Sequence, residues 1–129
     1  MNPSILIVDD EPMTRNLLRL MLERAGFKIL EAEDGLKALD VVAEHSPDLL
    51  ILDVMMPNMD GITVCETLRA EAETADLPVI LLSARSNPEA VRLGMQAGAN
   101  RYLSKPISRE ELVRQVRDVL QGIPSQFGD

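Results

Sequence analysis

The stretch that most constrains the chain is Leu49-Leu50-Ile51-Leu52, an unbroken apolar run that ends on Asp53 and is followed by Met56-Pro57 and Asp60-Gly61. Four apolar residues cannot span a membrane. Because they do not alternate with polar ones, they mark a strand buried on both faces, as in a parallel sheet covered by helices. A residue that precedes proline is pushed away from helix, and Asp-Gly favours a turn, so the strand gives way to a tight loop. Asp53 therefore stands where a central strand leaves the core, at the carboxyl edge where open α/β sheets bind ligands.

The pattern recurs. Ser4-Ile5-Leu6-Ile7-Val8 ends on Asp9-Asp10-Glu11-Pro12, Val79-Ile80-Leu81-Leu82 ends on Ser83, and Arg101-Tyr102-Leu103-Ser104 ends on Lys105-Pro106. Phe27 to Ala32 alternates, as befits a strand nearer the sheet edge. Between the strands the spacing turns helical. Pro12 to Ala25 carries Leu17, Leu18, Met21, Leu22 and Ala25 as an apolar stripe that Gly26 closes. Asp34-Gly35 turns into a helix through Leu36, Leu39, Val42 and Ala43, and Val64, Cys65 and Leu68 follow Gly61 at helical spacing. Asn87-Pro88 suits the cap and first turn of a helix through Val91, Leu93 and Met95. Ser108-Arg109-Glu110-Glu111 has the capping-box pattern before Leu112, Val113, Val116, Val119 and Leu120.

Five strand-helix units in alternation predict an α/β fold: a parallel sheet between two helical layers, joined by right-handed crossovers. The domain is expected over residues 1–120, with 121–129 as a tail or the start of a linker. Parallel strands bring Asp9, Asp10, Asp53, Ser83 and Lys105 to one edge. Two carboxylates about 5 Å apart at an effective dielectric near 20 repel by roughly 3 kcal/mol, so such a cluster requires a cation or a raised pKa. Oxygen ligands with room for water suit Mg²⁺ better than Ca²⁺. With a lysine as point cation and a serine hydroxyl as donor, the set describes a phosphoryl-transfer site.

At these residues the chain resembles the receiver domain of two-component response regulators, from about Ser4 to Leu120. Asp9-Asp10 is similar to that family's paired acids, Asp53 in Leu52-Asp53-Val54-Met55-Met56-Pro57 to its phosphoacceptor, Ser83-Ala84 to its hydroxyl and small residue, and Lys105-Pro106 to its lysine-proline pair. Tyr102 falls on the switch aromatic. The resemblance implies a flavodoxin-like (βα)5 sandwich with strand order 2-1-3-4-5 and a cis Lys105-Pro106 bond. It also implies a phosphoryl group taken onto Asp53 from the phosphohistidine of a sensor kinase or phosphotransfer protein. Mg²⁺, with Mn²⁺ as a substitute, would be held by Asp9, Asp10, Asp53 and the main-chain carbonyl of Met55, while Ser83 and Lys105 bind phosphoryl oxygens. Ser83 and Tyr102 would then switch the surface of the fourth helix, fifth strand and fifth helix (α4, β5 and α5) toward an effector or a second copy of the chain. Such a domain catalyses only its own phosphorylation and dephosphorylation and is not an enzyme turning over a separate substrate.

Composition excludes other classes. Thirteen basic against twenty-one acidic residues give a net charge of −8, a field that repels nucleic-acid phosphates, so no direct nucleic-acid contact is expected. Cys65 is the only cysteine, which rules out an intramolecular disulfide and a cysteine zinc cluster and points to the cytoplasm. No secretory leader or membrane span is apparent. A flavodoxin-like cofactor carrier would need a phosphate cradle where Asp9-Asp10-Glu11 stands, and an aspartate-nucleophile phosphatase would want an acid where Met55 stands. A receiver-like interaction module working without phosphorylation is the remaining alternative, although it would be expected to lack one of the five site residues. Arg92, Met95, Arg101, Tyr102 and Arg114 are expected to make the α4, β5 and α5 surface basic and apolar. By family resemblance, Met55 and Arg85 flank the line along which water reaches the phosphoryl group. Neither positions water well, so a long-lived phosphorylated state is expected. His45 reads as a solvated helix end and Cys65 as a small core residue.

Overall fold

The computed structural model describes residues 2–124. Its elements run β1 (Ser4–Val8), α1 (Pro12–Arg24), β2 (Lys28–Ala32), α2 (Gly35–His45), β3 (Leu49–Leu52), α3 (Gly61–Ala70), β4 (Val79–Ser83), α4 (Pro88–Gln96), β5 (Arg101–Ser104) and α5 (Arg109–Leu120). The five strands pair in parallel in the order β2-β1-β3-β4-β5. Val8 lies opposite Leu52, Leu52 opposite Leu81 and Leu81 opposite Tyr102, so one row of residues crosses four strands.

Alternation along each strand divides the core in two. Leu6, Val8, Leu50, Leu52, Val79 and Leu81 face the layer of α2, α3 and α4, where Val42, Val64, Cys65 and Leu68 meet them. Ile5, Ile7, Leu49, Ile51, Ile80 and Leu82 face α1 and α5 and pack on Leu18, Leu22, Leu112 and Val116. β3 is buried at every position, as its unbroken apolar run requires.

Helix starts follow local chemistry. Asp34, Asp60, Asn87 and Ser108 each accept a hydrogen bond from the backbone N–H three residues on, satisfying a donor that has no partner within the helix. The capping box at Ser108 is only half made: the Glu111 carboxylate turns to Arg114 and Gln115. The apolar stripe of α1 also divides differently from its spacing. Leu18 and Leu22 are buried, whereas Leu17 faces outward with Met13 and Leu20, because the helix lies over the sheet on only one narrow side. Beyond α5, the expected tail is described only as far as Pro124, and residues 125–129 lie outside the described residues.

Candidate functional site

Strand ends build the site. The Asp53 N–H donates to the Val8 carbonyl and the Asp9 N–H to the Ala32 carbonyl, which extends the sheet one step past the cores of β3 and β1. The Lys105 N–H donates to the Ser83 carbonyl and ties the end of β5 to that of β4. Lys105-Pro106 is cis, as the resemblance implied. The loop after Asp53 is pinned by close packing. Gly61 passes so near the Asp53 carbonyl that a Cβ there would lie 2.4 Å from the oxygen. Asn58 reaches across to the Asp34 carboxylate at 3.0 Å and ties the same loop to the start of α2.

On this frame Lys105 Nζ bridges two carboxylates, at 2.8 Å from Asp9 Oδ2 and 3.2 Å from Asp53 Oδ2. Asp9 is 1% exposed, and its other oxygen accepts from the Glu11 N–H. Asp10 is exposed and completes a trio whose ligand oxygens lie within 4.8 Å of one another. One lysine cannot neutralise three acids. Hard oxygen donors at this spacing, one of them open to solvent, fit a Mg²⁺-sized cation that retains water. Burial raises the Asp53 pKa above 3.8, with the Asp9 charge adding to the rise and Lys105 opposing it. Burial also works against the Lys105 charge, but hydrogen bonding to Asp9 and the nearby carboxylates more than compensate, and its pKa is raised.

Ser83 is buried, and its Oγ accepts from the Arg85 N–H at 3.1 Å. The carbonyl of the same Arg85 accepts from the Tyr102 hydroxyl at 2.6 Å. Ser83 and Tyr102 are thus joined through a single residue. The Tyr102 ring lies against Gly94, where a Cβ would come within 2.6 Å of it. Met55 and Arg85 both line an open cleft of about 480 Å³ beside Asp10, and Met55 is 55% exposed. The Met55 N–H donates to Asp53 Oδ1 at 3.3 Å, which draws its main chain toward the carboxylate.

The partner face differs from its expectation. Arg92 pairs with Glu89 and Arg114 with Glu111, each within its own helix, and Arg101 is 8% exposed and turned inward. Those three cations therefore do not make the surface basic. The charge of Arg101 points to the surface, but its long side chain folds back toward α5, where Gln115 accepts from it. Sequence reasoning also passed over Arg69, which donates to the carbonyls of Gly98 and Leu77 and to Asn100 Oδ1 and so fixes the turn into β5. Its only signal was an arginine in the last turn of a helix.

Four similarities bear on this site. A family model described as response regulator receiver domain matches residues 5–117. The chain is 41% identical over 119 residues to the DNA-binding dual master transcriptional regulator RpaA of Synechocystis, covering 92% of this chain and 49% of that protein. It is 43% identical over 121 residues to the response regulator MprA of Mycobacterium bovis, covering 94% and 52%. The chain thus spans about half the length of the curated relatives it matches. A crystal structure of a candidate response regulator from Chloroflexus aurantiacus superposes with a TM-score of 0.91 at 38% identity, covering 94% of this chain and 99% of that one.

Proposed function

The chain belongs to the response regulator receiver family, and on that premise we propose that Asp53 accepts a phosphoryl group from the phosphohistidine of a sensor kinase or phosphotransfer protein. The observation that carries this reading is the Lys105 ammonium bridging Asp9 and Asp53 on a sheet edge shared with Ser83. An Asp53 oxygen attacks phosphorus, the phosphorus–nitrogen bond to the donor imidazole breaks, and the imidazole keeps the electron pair and takes up a proton. Asp9, Asp10, Asp53 and the Met55 carbonyl would hold Mg²⁺, or Mn²⁺ in its place, which supplies charge neutralisation on the moving phosphoryl oxygens. The burial that raises the Asp53 pKa also strips water from the nucleophile. Lys105, fully protonated near neutrality, follows the negative charge from carboxylate to phosphoryl oxygen, and the Ser83 hydroxyl turns its proton to the same group.

That last movement supports a switch. Ser83 Oγ now accepts from the Arg85 N–H, and the Arg85 carbonyl holds the Tyr102 hydroxyl. When Ser83 is drawn to the phosphoryl group, the Arg85 backbone loses its anchor and Tyr102 its perch, so the ring turns inward and the α4-β5-α5 face changes. Because the Arg92 and Arg114 charges on that face are paired, the effector or second copy is recognised there through Leu93, Met95 and Tyr102 rather than through a basic patch. The receiver unit spans 1–120 and works in the cytoplasm, with DNA contacts left to other parts of a regulator. It acts as a signalling module that promotes its own phosphorylation and dephosphorylation.

The test is direct. An acyl phosphate with Mg²⁺ adds one phosphoryl group by intact mass, and Asp53→Asn abolishes the gain. Labelling of Asp53→Asn as fast as the parent overturns the reading.

A further inference from the structure

Arg101 is a nearly buried cation, and among the described residues no carboxylate forms an ion pair with it. An uncompensated buried charge is costly, so its donors must be met by neutral acceptors. Three converge on it: Nε donates to Gln115 Oε1 at 3.2 Å, Nη1 to the Asn100 carbonyl at 2.9 Å, and Nη2 to the Ile123 carbonyl. These acceptors belong to α5, to the turn before β5, and to the segment leaving α5. Gln115 in turn donates to Glu111 at 2.7 Å, a carboxylate already paired with Arg114, which fixes the amide so that its oxygen faces Arg101.

The segment leaving α5 has a defined conformation. Gly122 adopts φ +75°, its N–H donates to the Val119 carbonyl, and the Ile123 N–H donates to the Asp118 carbonyl at 2.9 Å. This is a Schellman closure, which turns the chain sharply off the helix axis. The Arg101 fork fastens the first carbonyl beyond it. Arg101 and Tyr102 are neighbours on one strand, so their side chains leave on opposite faces: Tyr102 toward α4, Arg101 toward α5. A change at the Tyr102 main chain passes through one peptide bond to Arg101, whose guanidinium is held at the far end by acceptors on α5 and the segment beyond it.

We propose that Arg101 is a latch that fastens the exit from α5 to the switch strand, so that loading of Asp53 alters how residues 121–123 leave the domain. The proposal rests on the phosphoacceptor reading above and adds an intramolecular route for it, from Ser83 through Arg85, Tyr102 and Arg101 to Ile123. Arg101 is a positioning residue and touches no reacting atom. Its fork suits the task because its rigid, planar donors reach acceptors on three different segments at once, whereas an ammonium gathers its donors at a single atom.

The experiment follows the Ile123 amide by NMR and hydrogen exchange in the protein, before and after an acyl phosphate with Mg²⁺, while intact mass reports loading separately. In the unloaded parent, Arg101→Ala speeds exchange at Ile123 about tenfold, in line with losing a charge-assisted hydrogen bond that holds the segment. In the loaded parent the Gly122 and Ile123 resonances shift, and in Arg101→Ala at equal loading they do not. Gln115→Leu leaves the guanidinium in place and keeps part of the response, and Arg101→Lys restores part of it. Should Arg101→Ala fail to fold, Arg101→Lys against Gln115→Leu decides: Ile123 shifting on loading in both as fully as in the parent overturns the latch. So does a parent whose mass shows loading while Ile123 stays unmoved. A parent that gains no phosphoryl mass fails the underlying reading instead, and the latch falls with it.

Discussion

β3 and β5 each deliver a charged residue to the same edge, yet they are built in opposite ways. β3 lies in the middle of the sheet with all four side chains buried, and Asp53 follows it under the close cover of Gly61. β5 is an edge strand whose residues are only partly covered after Arg101, and Arg101 and Tyr102 are held by side-chain hydrogen bonds in addition to packing. Close-packed apolar contacts resist displacement, whereas a few directional bonds can be exchanged for others. On the proposed reading, the acceptor follows the strand held by close packing, and the response falls on the strand that also relies on exchangeable bonds.

The largest expected effect tests the packing side of this contrast. Leu50→Ala empties a fully buried site between β1 and β4 and should cost about 3–4 kcal/mol in urea unfolding. Leu103→Ala, at a half-buried position on β5, should cost about half as much. Equal losses would erase the distinction between the two strands.

A smaller effect concerns the charge at the end of β3. The folded pKa of Asp53 is raised, so between 3.8 and that raised value the folded state binds more protons than the unfolded one. Stability from this group therefore falls as pH rises through that window and stays reduced at neutral pH. Asp53→Asn should raise the thermal midpoint at pH 7 without Mg²⁺. The gain should shrink as pH is lowered toward 4, and Mg²⁺ should stabilise the parent more than the variant. A midpoint unchanged by Asp53→Asn at pH 7 would mean that the carboxylate carries no burial cost.

These contrasts also show what the sequence could tell. The ends of β1, β3 and β4 were legible because each apolar run stops on a residue that cannot be buried unpaired, and the end of β5 because Lys105-Pro106 follows it. The caps at Asn87 and Ser108 were legible because capping is decided within four residues. Arg101 and Arg69 were not, since their partners lie at Ile123, Gly98 and Leu77, and only the folded chain brings those carbonyls near. The exposure of Leu17 escaped for a related reason: periodicity gives a stripe, but the sheet decides how much of it is covered. The link from Ser83 to Tyr102 runs through the main chain of Arg85, where side-chain identity leaves no mark.

The smallest expected effect concerns lifetime. Met55 and Arg85 border the cleft beside Asp10, one apolar and one able to span phosphoryl oxygens with its guanidinium. Replacing them together, Met55→Asn with Arg85→Glu, should speed decay of the phosphorylated form severalfold, up to about tenfold, or about 1.4 kcal/mol in barrier. Decay is followed by mass with Mg²⁺ present after the donor is removed. Decay no faster than the parent's would place control of the lifetime elsewhere.

The division between a fixed acceptor strand and a responsive edge strand is tested most directly by residue-resolved hydrogen exchange on the protein with and without acyl phosphate, Mg²⁺ being present in both. Exchange should change on loading at Arg85, in α4 and across β5, while the amides of Leu50, Ile51 and Leu52 in β3 keep their protection. Equal changes in β3 and β5, or changes confined to β3, would contradict the account.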